Sequence, residues 1–145
     1  MGLIVQKLIE PEVAGVIYTG INKNNLLVQY TDGFGARLVD GVTAGSAIIV
    51  GSDDVIVQSA GFESRPLSPH AVNQIAAHSE SIQKLFPGVP QDIEFAYRDK
   101  VIHIVQARTL TTDLGNVELS QTPEDCLEAT KHKLKRLVSE EKRQL

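Results

Sequence analysis

Along the first sixty residues the apolar positions come in short bursts, each closed by a turn-forming residue. "LIVQKLIE" runs to Pro11, and "VAGVIYTG" follows it. After the turn chemistry of "NKNN" come "LLVQYTDG", "ARLVDG", "SAIIVGSDD" and "VIVQSAG", each stopped by Gly or Asp. Such runs have the length and the Val/Ile content of strands, and the Gly, Asn and Asp between them suit turns. No helical stretch intervenes, so consecutive strands must fold back on one another. The pattern predicts a largely antiparallel meander.

At Ser68 the period changes. Ser68 suits a helix N-cap and Pro69 the first helical position, where its missing N–H costs nothing. Val72, Ile75, Ala76, Ile82, Leu85 and Phe86 then recur at helical spacing, predicting one apolar face, and "PGVP" ends the helix. Two strands follow, Ile93–Arg98 and Val101–Ala107, joined at "RDKV". Beyond Thr112, "DLGNVELSQ" reads as a polar linker. The last segment, "TPEDCLEATKHKLKRLVSEEKRQL", predicts a second helix with Thr122 as cap, Pro123 first, acids early and bases late. Its apolar stripe of Leu127, Leu134, Leu137 and Val138 is narrow. The expected class is α+β, a mostly antiparallel β-sheet with flanking helices.

The two strands before Thr112 carry Glu94, Gln106 and Arg108 where a plain core hairpin would carry valines. Opposed residues of a pair point to the same face, so the loop length decides what they meet. A two-residue Asp99–Lys100 turn sets Glu94 against Val105. A loop with an odd number of residues, such as Asp99 to Val101, sets Glu94 against Gln106. In that register Glu94, Ala96, Ile102, Ile104, Gln106 and Arg108 share one face. Ile93, Phe95, Tyr97, Val101, His103, Val105 and Ala107 share the other, a core face. This clean separation makes the odd loop the expected one. A carboxylate and an amide oxygen are hard ligands of the kind Mg²⁺ accepts, with positions left for water and phosphate. An arginine beside them can hold phosphate oxygens and take up charge in phosphoryl transfer. The plainer alternative is a Glu94–Arg108 surface ion pair worth about 0.5 kcal/mol.

Composition narrows the function classes. The 145 residues suit one domain of ordinary size with a core of its own. The net charge of −4 argues against a nucleic-acid binder working through a basic surface, and the lack of Trp argues against a base-stacking platform. No apolar run is long enough to span a membrane, and the N-terminus lacks signal-peptide features, so no membrane partner is expected. The single cysteine, Cys126, cannot form an internal disulfide, which makes a reducing cytoplasm the expected location.

"PQDIEFA", a short turn and "IHIVQART" resemble the end of the nucleotide-binding domain of the pyruvate phosphate dikinase and phosphoenolpyruvate synthase family. There an Asp-Ile-Glu and an aromatic precede an apolar strand ending in Gln-Ala-Arg-Pro. "IVQKLIEPEVAGVIYT" is similar to that family's "VVVQ" segment with its Gly-Val and Phe/Tyr-Ser/Thr, and "VQYTDGFGARLVDGVTAG" to its Gly-Leu-Gly-Glu loop. The three motifs occur in family order between Ile4 and Thr112. The resemblance implies that residues 1–112 are the C-terminal part of an ATP-grasp-like nucleotide-binding domain, with residues 113–145 a linker and C-terminal helix. It implies ATP and Mg²⁺ as ligands, with Glu94 and Gln106 on the metal and Arg108 on the phosphates in transfer, as the catalytic residue. Gln6 falls where the family's hinge strand passes the adenine.

The same resemblance implies a reaction that moves phosphate from ATP to pyruvate through a phosphohistidine. The partners would then be the remaining domains of a larger enzyme, an upstream nucleotide-binding half and a phosphohistidine domain, and the isolated chain would be inactive. The sequence departs from the family pattern at three places. Gly33-Phe34-Gly35-Ala36 lacks the loop glutamate, the chain runs on from Thr19 as "TGINKNN", and Thr109 replaces the proline after the arginine. These departures support a rival reading, a non-catalytic fragment serving as a binding or interaction module. Other signals are weaker. "GFGARLVDG" lacks the third glycine and following helix of a dinucleotide loop. His70 and His78 read as solvated helix residues, and His103 as a half-buried residue of the core face.

Overall fold

A computed structural model of the chain describes residues 2–34, 45–61 and 64–119. Strands β1 (Val13–Ile21), β2 (Asn25–Asp32), β3 (Ser46–Val50) and β4 (Ile56–Ala60) form the expected meander. Helix α1 (Pro69–Leu85) follows, and β5 (Gln91–Arg98) and β6 (Val101–Thr109) return as a hairpin. The sheet order is β4-β3-β2-β1-β5-β6, antiparallel throughout. The class is therefore α+β. Among the described residues no helix is long and apolar enough to cross a membrane.

Placing the hairpin beside β1 gives that strand partners on both edges. This accounts for a departure at the N-terminus. "LIVQKLIE" is not a strand, and residues 2–11 have no regular structure. With β2 on one side of β1 and β5 on the other, the apolar run has no edge of β1 left to pair with. Leu3, Ile4, Val5 and Leu8 stay largely exposed. The strand expected in "ARLVDG" and the helix expected from Thr122 onward lie outside the described residues.

One face of the sheet packs on α1. Ile17, Val28, Ile48, Ile93, Phe95 and Ile102 meet Val72 and Ile75 there in one buried cluster. The helix begins as expected, with the Ser68 hydroxyl accepting from the Ala71 N–H at 3.1 Å and Pro69 in its first turn. Gln74 ties it to the hairpin, donating to the Lys100 carbonyl and accepting from the Ile102 N–H. The apolar stripe stops short of its expected end, since Leu85 and Phe86 are 74% and 45% exposed. Phe86 is the C-cap, where the backbone has left the helical path and helical spacing no longer aims the side chain. Gly15 leaves room on this face for side chains of the neighbouring strands. A Cβ there would meet the Gln29 carbonyl and lie 2.8 Å from Phe95 Cε1 and 2.9 Å from Tyr30 Cβ.

The opposite face is partly covered by the chain after β6. Leu114, Val117 and Leu119 are buried against Val16, Tyr18, Leu27 and Ile49, so the start of the expected polar linker packs on the sheet. Side-chain amides hold it there. Asn22 donates to the Val117 carbonyl at 2.6 Å and accepts from its N–H at 2.9 Å, and Gln58 accepts from the Leu119 N–H. What this segment leaves uncovered, toward β5 and β6, is where the candidate site lies.

Candidate functional site

The hairpin reaches the expected pairing by a different route. Its turn has two residues, Asp99 and Lys100, both at positive φ (51° and 63°), with Arg98 paired to Val101. These are the angles of a type I′ turn, whose twist matches that of the strands it joins. Regular pairing from such a turn would set Glu94 against Val105. Instead Phe95 pairs with Ile104 and Glu94 with Gln106, so Val105 is one extra residue in β6, a β-bulge. The odd-loop expectation is thus corrected, while the Glu94–Gln106 pairing it was meant to explain is present.

The bulge also redistributes the faces. Before it, Ile102 is buried in the helix-side core with Ile104 packed against that cluster, not on the face of Glu94. His103 leaves the core face expected for it and pairs with Ala96. After the bulge, Gln106 pairs with Glu94 and Arg108 with Asp92. β1 extends both rows, since Val16 pairs with Glu94 and Tyr18 with Asp92. This side of the sheet therefore carries two neighbouring rows, Val16–Glu94–Gln106 and Tyr18–Asp92–Arg108, covered at β1 and open toward β6.

Arg108 pairs with Asp92, a partner that the plainer ion-pair alternative did not name. Its Nε and Nη2 both lie 3.1 Å from Asp92 Oδ2. The side chain of Asp92 is 11% exposed and that of Arg108 is 41% exposed, so one end of the pair is buried and the other reaches solvent. Burial raises the Asp92 carboxyl above its ordinary range, against the opposing pull of Arg108. Glu94 is raised too, by burial first and then by the charge of Asp92, with Arg108 again opposing. The Tyr18 phenol is raised by burial and then by Asp92, which keeps it protonated. Two desolvated carboxylates with one guanidinium make a face that a further cation would stabilise.

These shifts have a testable sign. A carboxylate raised in the folded state favours the unfolded chain above its ordinary pKa, because the unfolded chain ionises it more easily. Glu94→Gln, neutral and nearly isosteric, is expected to be more stable than the wild type at pH 7. The gap should narrow as pH falls through the raised Glu94 value and vanish below the ordinary 4.5. Urea midpoints of the two proteins across pH 3–8 check this, and a gap that widens toward acid would contradict it.

Gln6 joins the site from the N-terminal segment. A cavity of about 480 Å³ lies over Ala14, Val16, Glu94 and Ala96, with Gln6, Leu8, Ile9 and Phe34 along its other walls. Gln6 and Glu94 thus share a cavity, while Gln106 and Arg108 stand beside it on β6. Among the described residues no three His, Cys, Asp or Glu side chains group closely enough to hold a metal ion by themselves. The donor set that exists is Glu94 with Gln106, next to Asp92. It fits a hard divalent cation that keeps waters or phosphate oxygens for its other positions.

Sequence reasoning missed three polar residues of this face. Asp92 was legible in principle, because once Glu94 opposes Gln106 the residue two before it must oppose Arg108. Tyr18 and Gln29 needed the pairing of β1 to be known. Gln29 pairs with Val16 from the β2 side, and its Oε1 is buried with no hydrogen-bond partner among the described residues. Such an atom costs about 1–3 kcal/mol in a folded protein. The loop glycines of "GFGARLVDG" beyond Phe34, with Ala36, lie outside the described residues.

No family model matches the chain. It is 26% identical over 137 residues to the rifampicin phosphotransferase of Bacillus cereus. It is 29% identical over 139 residues to the uncharacterized phosphotransferase YvkC of Bacillus subtilis strain 168, and 26% over 141 residues to the rifampicin phosphotransferase of a Streptomyces species. The alignments cover 76–77% of this chain but 16–17% of each relative. The chain spans about one sixth of their length. All three relatives are phosphotransferases, and it is to a limited part of such proteins that this chain is similar.

Proposed function

We propose that this chain holds Mg²⁺–ATP as the C-terminal part of an ATP-grasp-like domain, within a phosphotransferase of the phosphoenolpyruvate synthase and pyruvate phosphate dikinase type. The observation that carries the reading is the pair of adjacent rows on the uncovered face, Glu94 against Gln106 and Asp92 against Arg108. Glu94 and Gln106 would ligate the metal, which when bound neutralises phosphate charge. Arg108, oriented by Asp92, would contact the phosphates in transfer. Gln6, across the cavity from Glu94, would lie toward the base. The remaining domains would supply the other wall of the site and a phosphohistidine carrier toward pyruvate, in the cytoplasm. Two relatives are named for rifampicin, so a different acceptor competes with pyruvate. A non-catalytic binding module is the second reading, favoured by Ala36 where the resembled family has glutamate.

Titrating the chain with Mg²⁺–ATP and following backbone amide NMR shifts tests the proposal. Weak binding, with a dissociation constant in the millimolar range, is expected, because phosphate donors from one wall give little preorganisation. The shifts should concentrate on the uncovered face of β5 and β6. Micromolar affinity would contradict the one-walled site, and shifts confined to other regions would remove the assignment.

A further inference from the structure

Gln29 stands in a row of five paired residues, Ala47–Gln29–Val16–Glu94–Gln106, running across β3, β2, β1, β5 and β6. It is 3% exposed. Its direct neighbours in that row are Ala47 and Val16, neither of which offers a side-chain donor. Its Oε1 has no hydrogen-bond partner among the described residues. Buried polar atoms in folded proteins are nearly always paired, so a buried acceptor left unpaired beside a candidate site asks what pairs with it. The cavity over Val16 and Glu94 lies on the same face, one strand away. Gln29 itself does not line that cavity but pairs with Val16, which does, and the soft terminal torsion of a glutamine lets Oε1 be aimed along the row toward Val16.

We infer that Gln29 is a ligand-contacting residue of this site, whose unpaired Oε1 accepts a hydrogen bond from the bound Mg²⁺–nucleotide. The inference rests on the Mg²⁺–ATP reading and extends it to β2. The chemistry required is a hydrogen-bond donor above Val16. A metal-held water and a hydroxyl of the nucleotide sugar both supply one. In the ligand-free protein the orphan acceptor destabilises the fold, and the ligand relieves it. Gln29 thus exchanges resting stability for binding.

The test is Gln29→Met in the full chain, an apolar replacement of similar length. Its melting temperature is expected to rise by about 2–5 °C, because a buried unpaired polar atom is removed. Its affinity for Mg²⁺–ATP is expected to fall roughly 3- to 10-fold, the loss of one hydrogen bond. Unchanged affinity in the Met variant, whatever its melting temperature, overturns the inference. Replacing ATP with inorganic tripolyphosphate separates the two donors. A Met effect that persists points to metal-held water, and one that disappears points to the sugar. Glu94→Ala distinguishes this inference from the reading beneath it. If that variant loses Mg²⁺–ATP while Gln29→Met retains it, Gln29 alone is misassigned. If neither changes binding, the site reading fails and this inference with it.

Discussion

Replacing Arg108 with alanine is expected to lower phosphoryl-transfer turnover on the order of 10³-fold, in an enzyme that carries this domain with its complete nucleotide site. The KM for ATP should change far less. An arginine that follows charge onto the transferred phosphoryl group stabilises the transition state more than the bound substrate, so its loss appears in kcat. The structure adds a complication that the measurement must separate. Arg108 is bound to Asp92, whose side chain is 11% exposed, and removing the guanidinium strands that carboxylate. Stranding it costs about 1–3 kcal/mol, less if Asp92 takes up a proton, which its raised pKa favours. A melt of the variant shows whether it is folded at the assay temperature. Arg108→Lys keeps the charge but not the fork that spans Nε and Nη2, and should recover stability more than turnover. Near-wild-type turnover in a folded Arg108→Ala protein would sink the catalytic assignment.

Glu94→Ala is expected to fail in another way. It removes the one carboxylate of the proposed metal ligands, so the Mg²⁺ concentration needed for half-maximal turnover should rise. The rise should be roughly 10- to 100-fold, the range seen even when a partner outside the ligand shell is lost. Excess Mg²⁺ should restore much of the turnover of Glu94→Ala and none of that of Arg108→Ala. A surface role for both residues predicts instead that neither variant changes turnover and that each costs under about 1 kcal/mol of stability. An unchanged Mg²⁺ requirement in Glu94→Ala would take the metal away from this face.

The sequence was most readable where local chemistry decides the outcome. Ser68 and Pro69 start a helix through their own hydrogen bonding and ring geometry, and they do so here. The meander was legible because Gly, Asn and Asp separate runs of strand length. Reading failed where a distant partner decides. "LIVQKLIE" has strand composition, but whether it pairs depends on which strands occupy the edges of β1, and β5 takes the one that β2 leaves. The burial of Leu114, Val117 and Leu119 depends on Asn22 and Gln58, distant in sequence. The Glu94–Gln106 pairing was reached from a division of faces that holds only in part, since Ile102 and Ile104 lie in the helix-side core and Val101 and Val105 are exposed. Parity along a strand cannot say whether an extra residue sits in the turn or in the strand, and here it sits at Val105. Asp92 stands inside the resembled motif, but its role follows only from the pairing that sets it opposite Arg108.

The extra residue at Val105 makes β6 two strands in series. From Val101 to Ile104 its alternation serves the helix-side core, and from Gln106 to Thr109 the alternation restarts in the opposite phase. Substitutions that repack Ile102 or Ile104 therefore act on a stretch whose phase is not tied to that of Gln106 and Arg108. Selection can tune the two stretches separately. That freedom depends on the bulge and not on the count of residues. Loss of one residue at Val105 would leave a regular ladder with the glutamine still opposite Glu94 and the arginine still opposite Asp92. A bulge flattened at unchanged length would instead set Val105 against Glu94 and turn the amide and the guanidinium toward the helix. In alignments of such hairpins, a one-residue gap before the glutamine is then compatible with the same site.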